Sequence, residues 1–269
     1  MGIIRNITAI ALLFQIIPSY SASSTAPVTH TSSPSNGNVS SPVAQQKNSN
    51  DPVFFTPYSA VYSTVYKKGI TLRVEGKQTL TEAADHQYKF DFVVDTLLAS
   101  LKESSQFYLE GDSLRPTEYH YSSSVLGKRK DVIVTFDWDD MSAINTSKGN
   151  SWSMPINNTT LDRLTLQLQL RYDLKSHRDQ LDYQIADGGQ AKLYTFEKRD
   201  QEMIKTKLGE LETIKVVRTD NLSDKRHQYF WFAPKYDYLL VKMEHFEKGE
   251  SYTLNLDKIT QLPTPAAKQ

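Results

Sequence analysis

Short runs in which apolar and polar residues alternate recur along the chain, the period-2 signature of strands with one buried face. Ile70, Leu72 and Val74 form one such row and Phe90, Phe92 and Val94 another. Similar runs predict strands at 106–110, 117–121, 132–138, 191–196, 211–217, 228–232, 239–246 and 252–259. Turn residues separate them: Glu110-Gly111-Asp112, Leu126-Gly127-Lys128, Asp187-Gly188-Gly189, Leu208-Gly209-Glu210 and Lys248-Gly249-Glu250. Glycine, Asn and Asp tolerate the positive φ that tight hairpins need, so this spacing predicts antiparallel neighbours. Amphipathic helical stretches are nearly absent, which argues against a parallel sheet with crossover helices. The expected fold is mainly β: a curved antiparallel sheet or incomplete barrel.

Residues 161–174 fit both periods. The even positions from 164 to 174 are all apolar, as a strand would want. At 100° per residue, Leu161, Leu164, Leu168 and Tyr172 form one stripe and Leu166, Leu170 and Leu174 the opposite one. The ends favour a helix, with Thr159 offering a cap, Asp162 near the start, and Lys175, His177 and Arg178 at the close. A helix apolar on two faces must be enclosed, so it is placed on the concave side of the sheet.

Composition sets the boundaries. The chain has 269 residues, 31 basic and 31 acidic, and no cysteine. Zero formal charge provides no broad cationic field for nucleic acid. Absence of cysteine excludes disulfides, thiolate catalysis and a lipid-modified N-terminal cysteine. Residues 1–21 read as a secretory signal: Arg5 is the only charge, the stretch from Ile7 to Ile17 is almost wholly apolar until Pro18 breaks it, and Ser19 and Ser21 flank Tyr20 in an A-x-A-like pattern that places the cut after Ser21 or Ala22. That apolar run falls short of the roughly 20 residues needed to span a bilayer, so no transmembrane segment is expected in the mature chain. Residues 22–52 are rich in Ser, Thr, Pro and Asn and read as a disordered linker. A single β-rich domain is expected over 53–262, then a disordered tail at 263–269. The implied location is the periplasm.

No catalytic signature emerges. G-x-S-x-G, phosphate-loop and dinucleotide patterns are missing, and the six histidines stand singly, without metal-ligand spacing. No cofactor, metal or catalytic residue is assigned. Asp137-Trp138-Asp139-Asp140 reads as a solvated strand end, since the residues after it lack the spacing of a calcium loop. Lys128-Arg129-Lys130 is the only compact basic run, with lipid headgroups or phosphate as the functional alternative to simple solvation. Aromatics on predicted strands are the more suggestive set. Phe90, Phe92, Phe107, Trp138, Tyr229 and Trp231, with Leu164 and Leu168 of the helix, are the candidate lining of a ligand cavity; the alternative is an ordinary core.

Four stretches carry a resemblance. They are Leu161-Asp162-Arg163-Leu164-Thr165; Tyr183-Gln184-Ile185-Ala186-Asp187-Gly188; Thr206-Lys207-Leu208-Gly209 with Glu212-Thr213; and Trp231-Phe232-Ala233-Pro234. In order and spacing they resemble the bacterial domain-of-unknown-function 3108 family, and Phe136-Asp137-Trp138 is similar to its pattern. The resemblance implies export in Gram-negative bacteria and supplies no catalytic residue. A more distant likeness, in architecture alone, is to periplasmic lipoprotein carriers, whose incomplete barrels hold acyl chains over an internal helix. The sequence thus leaves three expectations: a non-enzymatic protein binding an apolar or lipid-like ligand, a structural or interaction module meeting an envelope protein, and an enzyme acting on envelope glycans or lipids.

Overall fold

A computed structural model describes residues 55–261, apart from 69, 84, 85, 98 and 126. The expected signal, linker and tail, and the domain ends at 53, 54 and 262, lie outside the described residues.

The described chain forms β1 (Tyr58–Lys68), β2 (Ile70–Glu82), β3 (Gln87–Asp95), β4 (Ala99–Glu110), β5 (Ser113–Val125), β6 (Lys128–Asp137), β7 (Ser142–Ser147), β8 (Asn150–Pro155) and the short β9 (Thr160–Leu161). Helix α1 (Thr165–Lys175) comes next. Then come β10 (Leu181–Asp187), β11 (Gln190–Thr206), β12 (Gly209–Arg218), β13 (Arg226–Ala233), β14 (Leu239–Glu247) and β15 (Glu250–Gln261). All fifteen strands belong to one sheet, ordered from β8 back to β1, then β15 back to β9. Every neighbour is antiparallel except β9, which runs parallel to β10. The sheet is not closed into a barrel: among the described residues β8 pairs only with β7.

Directly opposed residues in antiparallel strands share a face, so the inner wall can be followed across the sheet. One row runs Leu80, Phe90, Ser105, Tyr119, Val134, Asn145 and Trp152. The next runs Gln78, Phe92, Glu103, Tyr121 and Val132. These rows face α1, whose Gln167 accepts a hydrogen bond from Gln78 at 3.3 Å. Leu166, Leu168, Leu170 and Leu174 of α1 belong to the same buried cluster as Phe90, Phe92 and Phe107. The expected curved sheet around an internal helix is therefore the observed one.

The helix begins later than its periodicity predicts. Thr160 and Leu161 are drawn into β9 by pairing with Gln184 and Ile185. The cap is Asp162 in place of Thr159: its Oδ1 accepts the backbone N–H groups of Leu164 and Thr165 at 2.7 and 2.9 Å. Its own N–H bonds Thr165 Oγ1 at 3.0 Å, a reciprocal arrangement of the capping-box kind. Thr159 bonds the Asn157 side chain instead. Of the predicted turns, Asp187-Gly188-Gly189 joins β10 to β11 with both glycines at positive φ, 63° and 77°.

Candidate functional site

The eight residues predicted as a cavity lining divide into three groups. Phe90, Phe92, Phe107, Leu164 and Leu168 meet in the core beside α1 and are each almost wholly buried. Trp138 caps one end of that core: it stacks on Phe136, donates its Nε1–H to Pro116 O at 2.7 Å and lies under the Arg115 guanidinium. Tyr229 and Trp231 alternate with Gln228, Phe230 and Phe232 and so lie on the opposite face of β13, where Trp231 is nevertheless buried and Tyr229 half-buried. There Lys215 sits over both rings and Lys242 over Trp231.

Among the described residues, the space beside α1 is small. It measures about 40 Å³ and is bounded by Arg163, Leu166, Gln167, Ile185, Tyr194, Gln228, Phe230, Met243 and Tyr252. That is room for two or three waters on the scale where one needs roughly 10–15 Å³. Two polar atoms of this lining, Arg163 Nη2 and Gln228 Oε1, are buried without a hydrogen-bond partner. Burying such groups unpaired costs free energy, so they mark a place prepared for something that hydrogen-bonds.

Around Arg163 lies a charged inner wall that the search for catalytic motifs missed. Glu103 is fully buried and its Oε1 accepts the Tyr119 hydroxyl, while Oε2 has no hydrogen-bond partner. Burial pushes its carboxyl up to about 7, against a smaller opposing pull from Arg163. Asp162, also fully buried, accepts Ser105 Oγ–H on Oδ2 and the helix N–H groups on Oδ1. Asp187 stands 3.9 Å from Arg163 Nη1 and 3.5 Å from Lys192 Nζ. The basic run splits by alternation: Lys128 and Arg129 are exposed, whereas Lys130 is partly buried on the inner wall opposite Ser123, with its Nζ 5.5 Å from the Tyr121 ring. Burial, then the neighbouring Arg163 charge, lowers its amine to about 8. The signal for this wall was present in sequence. Leu101, Glu103, Ser105 and Phe107 form one period-2 row, and Asp162-Arg163 directly precedes a helix that had to be enclosed.

Polar side chains bind α1 to several walls. Gln169 accepts the Leu114 N–H and donates to Asp112 O, both at 3.0 Å. Asp173 accepts the Tyr183 hydroxyl at 2.7 Å, and Arg171 donates to Asp237 through Nε and Nη2, each at 2.7 Å. Other candidates resolve simply. Asp137 accepts the N–H groups of Asp139 and Asp140 in a local turn, and no cluster of His, Asp and Glu suited to a metal occurs among the described residues. His245 is buried and pushed down to about 4, chiefly by burial.

An antiparallel meander curled around one helix and left unclosed defines a class of barrel-like β proteins. The chain belongs to DUF3108, a family of proteins of unknown function whose model matches residues 58–257. No curated protein matches the sequence at a significant level. Among solved structures it is similar to a beta-barrel-like DUF1849 protein from Brucella abortus, with 11% identity and a TM-score of 0.51 over 76% of this chain and 97% of that one. This likeness shows a shared fold. A domain assigned to outer membrane lipoprotein sorting from Vibrio parahaemolyticus aligns over 79% of this chain and 88% of its own, with 10% identity and a TM-score of 0.25. A score that low does not establish a common fold.

Proposed function

We propose that the protein is an exported, non-catalytic binding protein of the bacterial envelope that receives an apolar, lipid-like ligand on the inner face of its open barrel. The observation that carries the reading is α1: a helix with leucines on both sides, lodged within a sheet whose edge strand β8 lacks a partner on its free side among the described residues. With about 40 Å³ free, uptake requires α1 to move, since its leucines occupy the space an acyl chain would fill. Each methylene buried there would contribute about 0.8 kcal/mol. Export is supported by the apolar run ending at Pro18 and the small residues after it. Catalysis is not called upon, because Glu103 is fully enclosed beside Tyr119.

Lys175 and Asp237, 2.7 Å apart at the rim, give the test. The chain contains no cysteine, so Lys175→Cys with Asp237→Cys can be bridged by a short bis-maleimide, tethering the helix to the β13–β14 connection. Uptake of a fluorescent apolar probe should be lost on bridging. Equal uptake by bridged and unbridged protein would sink the displaced helix. Failure of the untreated protein to bind any apolar probe, together with empty protein from the native compartment in native mass spectrometry, would sink the whole reading.

The second reading, an envelope interaction module, draws on the same edge: Trp152 of β8 is 47% exposed. A photoreactive residue at Ser153 that captures one defined envelope protein would favour it, and diffuse adducts would count against it.

A further inference from the structure

At the seam between β8 and the β10–β11 turn, four cations gather against few available acids. The Trp152 Cβ lies 3.3 Å from where a Cβ of Gly189 would stand, so the edge strand and the turn touch. Just inside, Asp187 is shared between Arg163 at 3.9 Å and Lys192 at 3.5 Å, and its Oδ2 has no hydrogen bond. Lys130 faces the same interior, in the row that continues through Ser123, Leu101 and Val94. No carboxylate forms an ion pair with Lys130 or with Lys148 of the β7–β8 turn among the described residues, although the charges of Arg163, Asp187 and Lys148 all act on Lys130.

The acids of the inner wall do not balance them. Asp162 commits one oxygen to Ser105 and the other to the start of α1. Glu103 is bonded to Tyr119 and, with its carboxyl near 7, carries only part of a charge at neutral pH. Asp187 is left facing Arg163 and Lys192, and its charge also acts on Lys130. Buried or half-buried cations without paired anions are costly, and Arg163 Nη2 has no acceptor at all. The walls next to these charges are apolar: Leu166, Ile185, Phe230 and Met243 bound the cavity that Arg163 enters. A positive mouth over an apolar interior matches an amphiphile whose charge sits at one end.

We propose that the ligand is a lipid-like amphiphile with an anionic head, a phosphate or carboxylate, received by Lys130, Lys148, Lys192 and Arg163 at the β8 seam while its chain lies along the inner wall. This rests on the ligand-binding function proposed for the open barrel and adds the class of head group and its place. Lys130 and Lys148 would meet the head, Arg163 would supply its unpaired N–H, and Trp152 would flank the entry.

The test displaces a fluorescent apolar probe from the full chain with compounds of one chain length and different heads: tetradecyl phosphate, myristate, tetradecanol and a zwitterionic tetradecyl phosphocholine. The acidic compounds should compete roughly tenfold better than the neutral and zwitterionic ones. Lys130→Gln with Lys148→Asn should bring the acidic compounds to within about twofold of the others and leave tetradecanol unchanged. Asparagine suits Lys148, whose φ of 52° is left-handed, so the turn is kept. Independently, NMR titration of the Lys130 amine should move up from about 8 when an acidic compound is bound. Equal competition by all heads overturns the anionic site while the ligand reading stands; failure of the probe and of every compound to bind overturns both. Inorganic phosphate provides the last arm. If it alone raises the Lys130 titration without displacing the probe, and the acidic amphiphiles compete no better than tetradecanol, the site belongs to a free anion and the lipid assignment falls.

Discussion

Arg163 and Arg171 stand at opposite ends of the same buried segment and are held in different ways. Arg171 donates twice to Asp237 at 2.7 Å and lies over Tyr58 and Phe55, with Nη1 alone lacking an acceptor. Among the described residues Arg163 has no carboxylate nearer than 3.9 Å, and its Nη2 lacks an acceptor beside the cavity. The first is a fastening between α1 and the rim; the second is held by the surrounding field. A buried guanidinium bonded at short range can offset its desolvation, whereas one kept at a distance leaves part of that cost uncompensated. One short stretch of chain thus carries a closely paired guanidinium and a loosely paired one.

The backbone beside Arg163 should be rigid even though its side chain is loosely held. Asp162→Ala removes both acceptors of the helix start and strands the Ser105 hydroxyl, so it should lower the unfolding free energy by about 3 kcal/mol in urea titration. A loss below about 1 kcal/mol would mean that this end is not anchored and would break the comparison.

The Arg163 charge acts on Glu103, whose acidity can be followed through stability. Its carboxyl is raised from near 4.5 to about 7 by burial, so its contribution to stability is present below 4.5 and is lost as pH rises to 7. His245 is lowered from 6.5 to about 4 and acts oppositely, losing stability as pH falls through that window. Each swing is about 3 kcal/mol at 1.36 kcal/mol per pH unit, so the two oppose one another between pH 4.5 and 6.5. Glu103→Gln should expose the histidine, with stability falling by about 2–3 kcal/mol on acidification across that range. The same profile in variant and wild type would show that burial does not raise the Glu103 carboxyl.

Smaller effects separate the two arginines directly. Arg171→Met breaks two short bonds and should cost about 2 kcal/mol, while Arg163→Met, which leaves Asp187 with Lys192, should cost under about 1 kcal/mol. Equal losses in chemical unfolding would erase the distinction.

Much of this architecture was legible in the sequence. The row Phe90, Phe92, Val94 read correctly because its inward residues are large, and the two leucine stripes of α1 demanded enclosure. β1 is less legible because its inward row, Tyr58, Ala60, Tyr62 and Thr64, mixes aromatic with small and polar residues, and Ser59 on the other face is buried as well. β7 and β8 escaped because β8 is exposed at every position except Met154. The candidate site was half legible. Its apolar members follow from strand alternation and the helical stripe, but alternation does not say which face β13 turns toward α1, and Trp231 is buried on the face opposite Phe230. Glu103 and Arg163 were passed over because an isolated charge gives no catalytic pattern, and only the fold shows that Lys130, Arg163 and Asp187 meet.

The sheet order has a temporal corollary. β1 finds its second neighbour in β15, through pairs such as Val61 with Lys258, so the first and last strands close the seam between two sequential meanders. The middle of the sheet therefore stays unpaired until β15, the last strand among the described residues, is available. Late closure of that kind leaves each half to form its own hairpins before the two are joined.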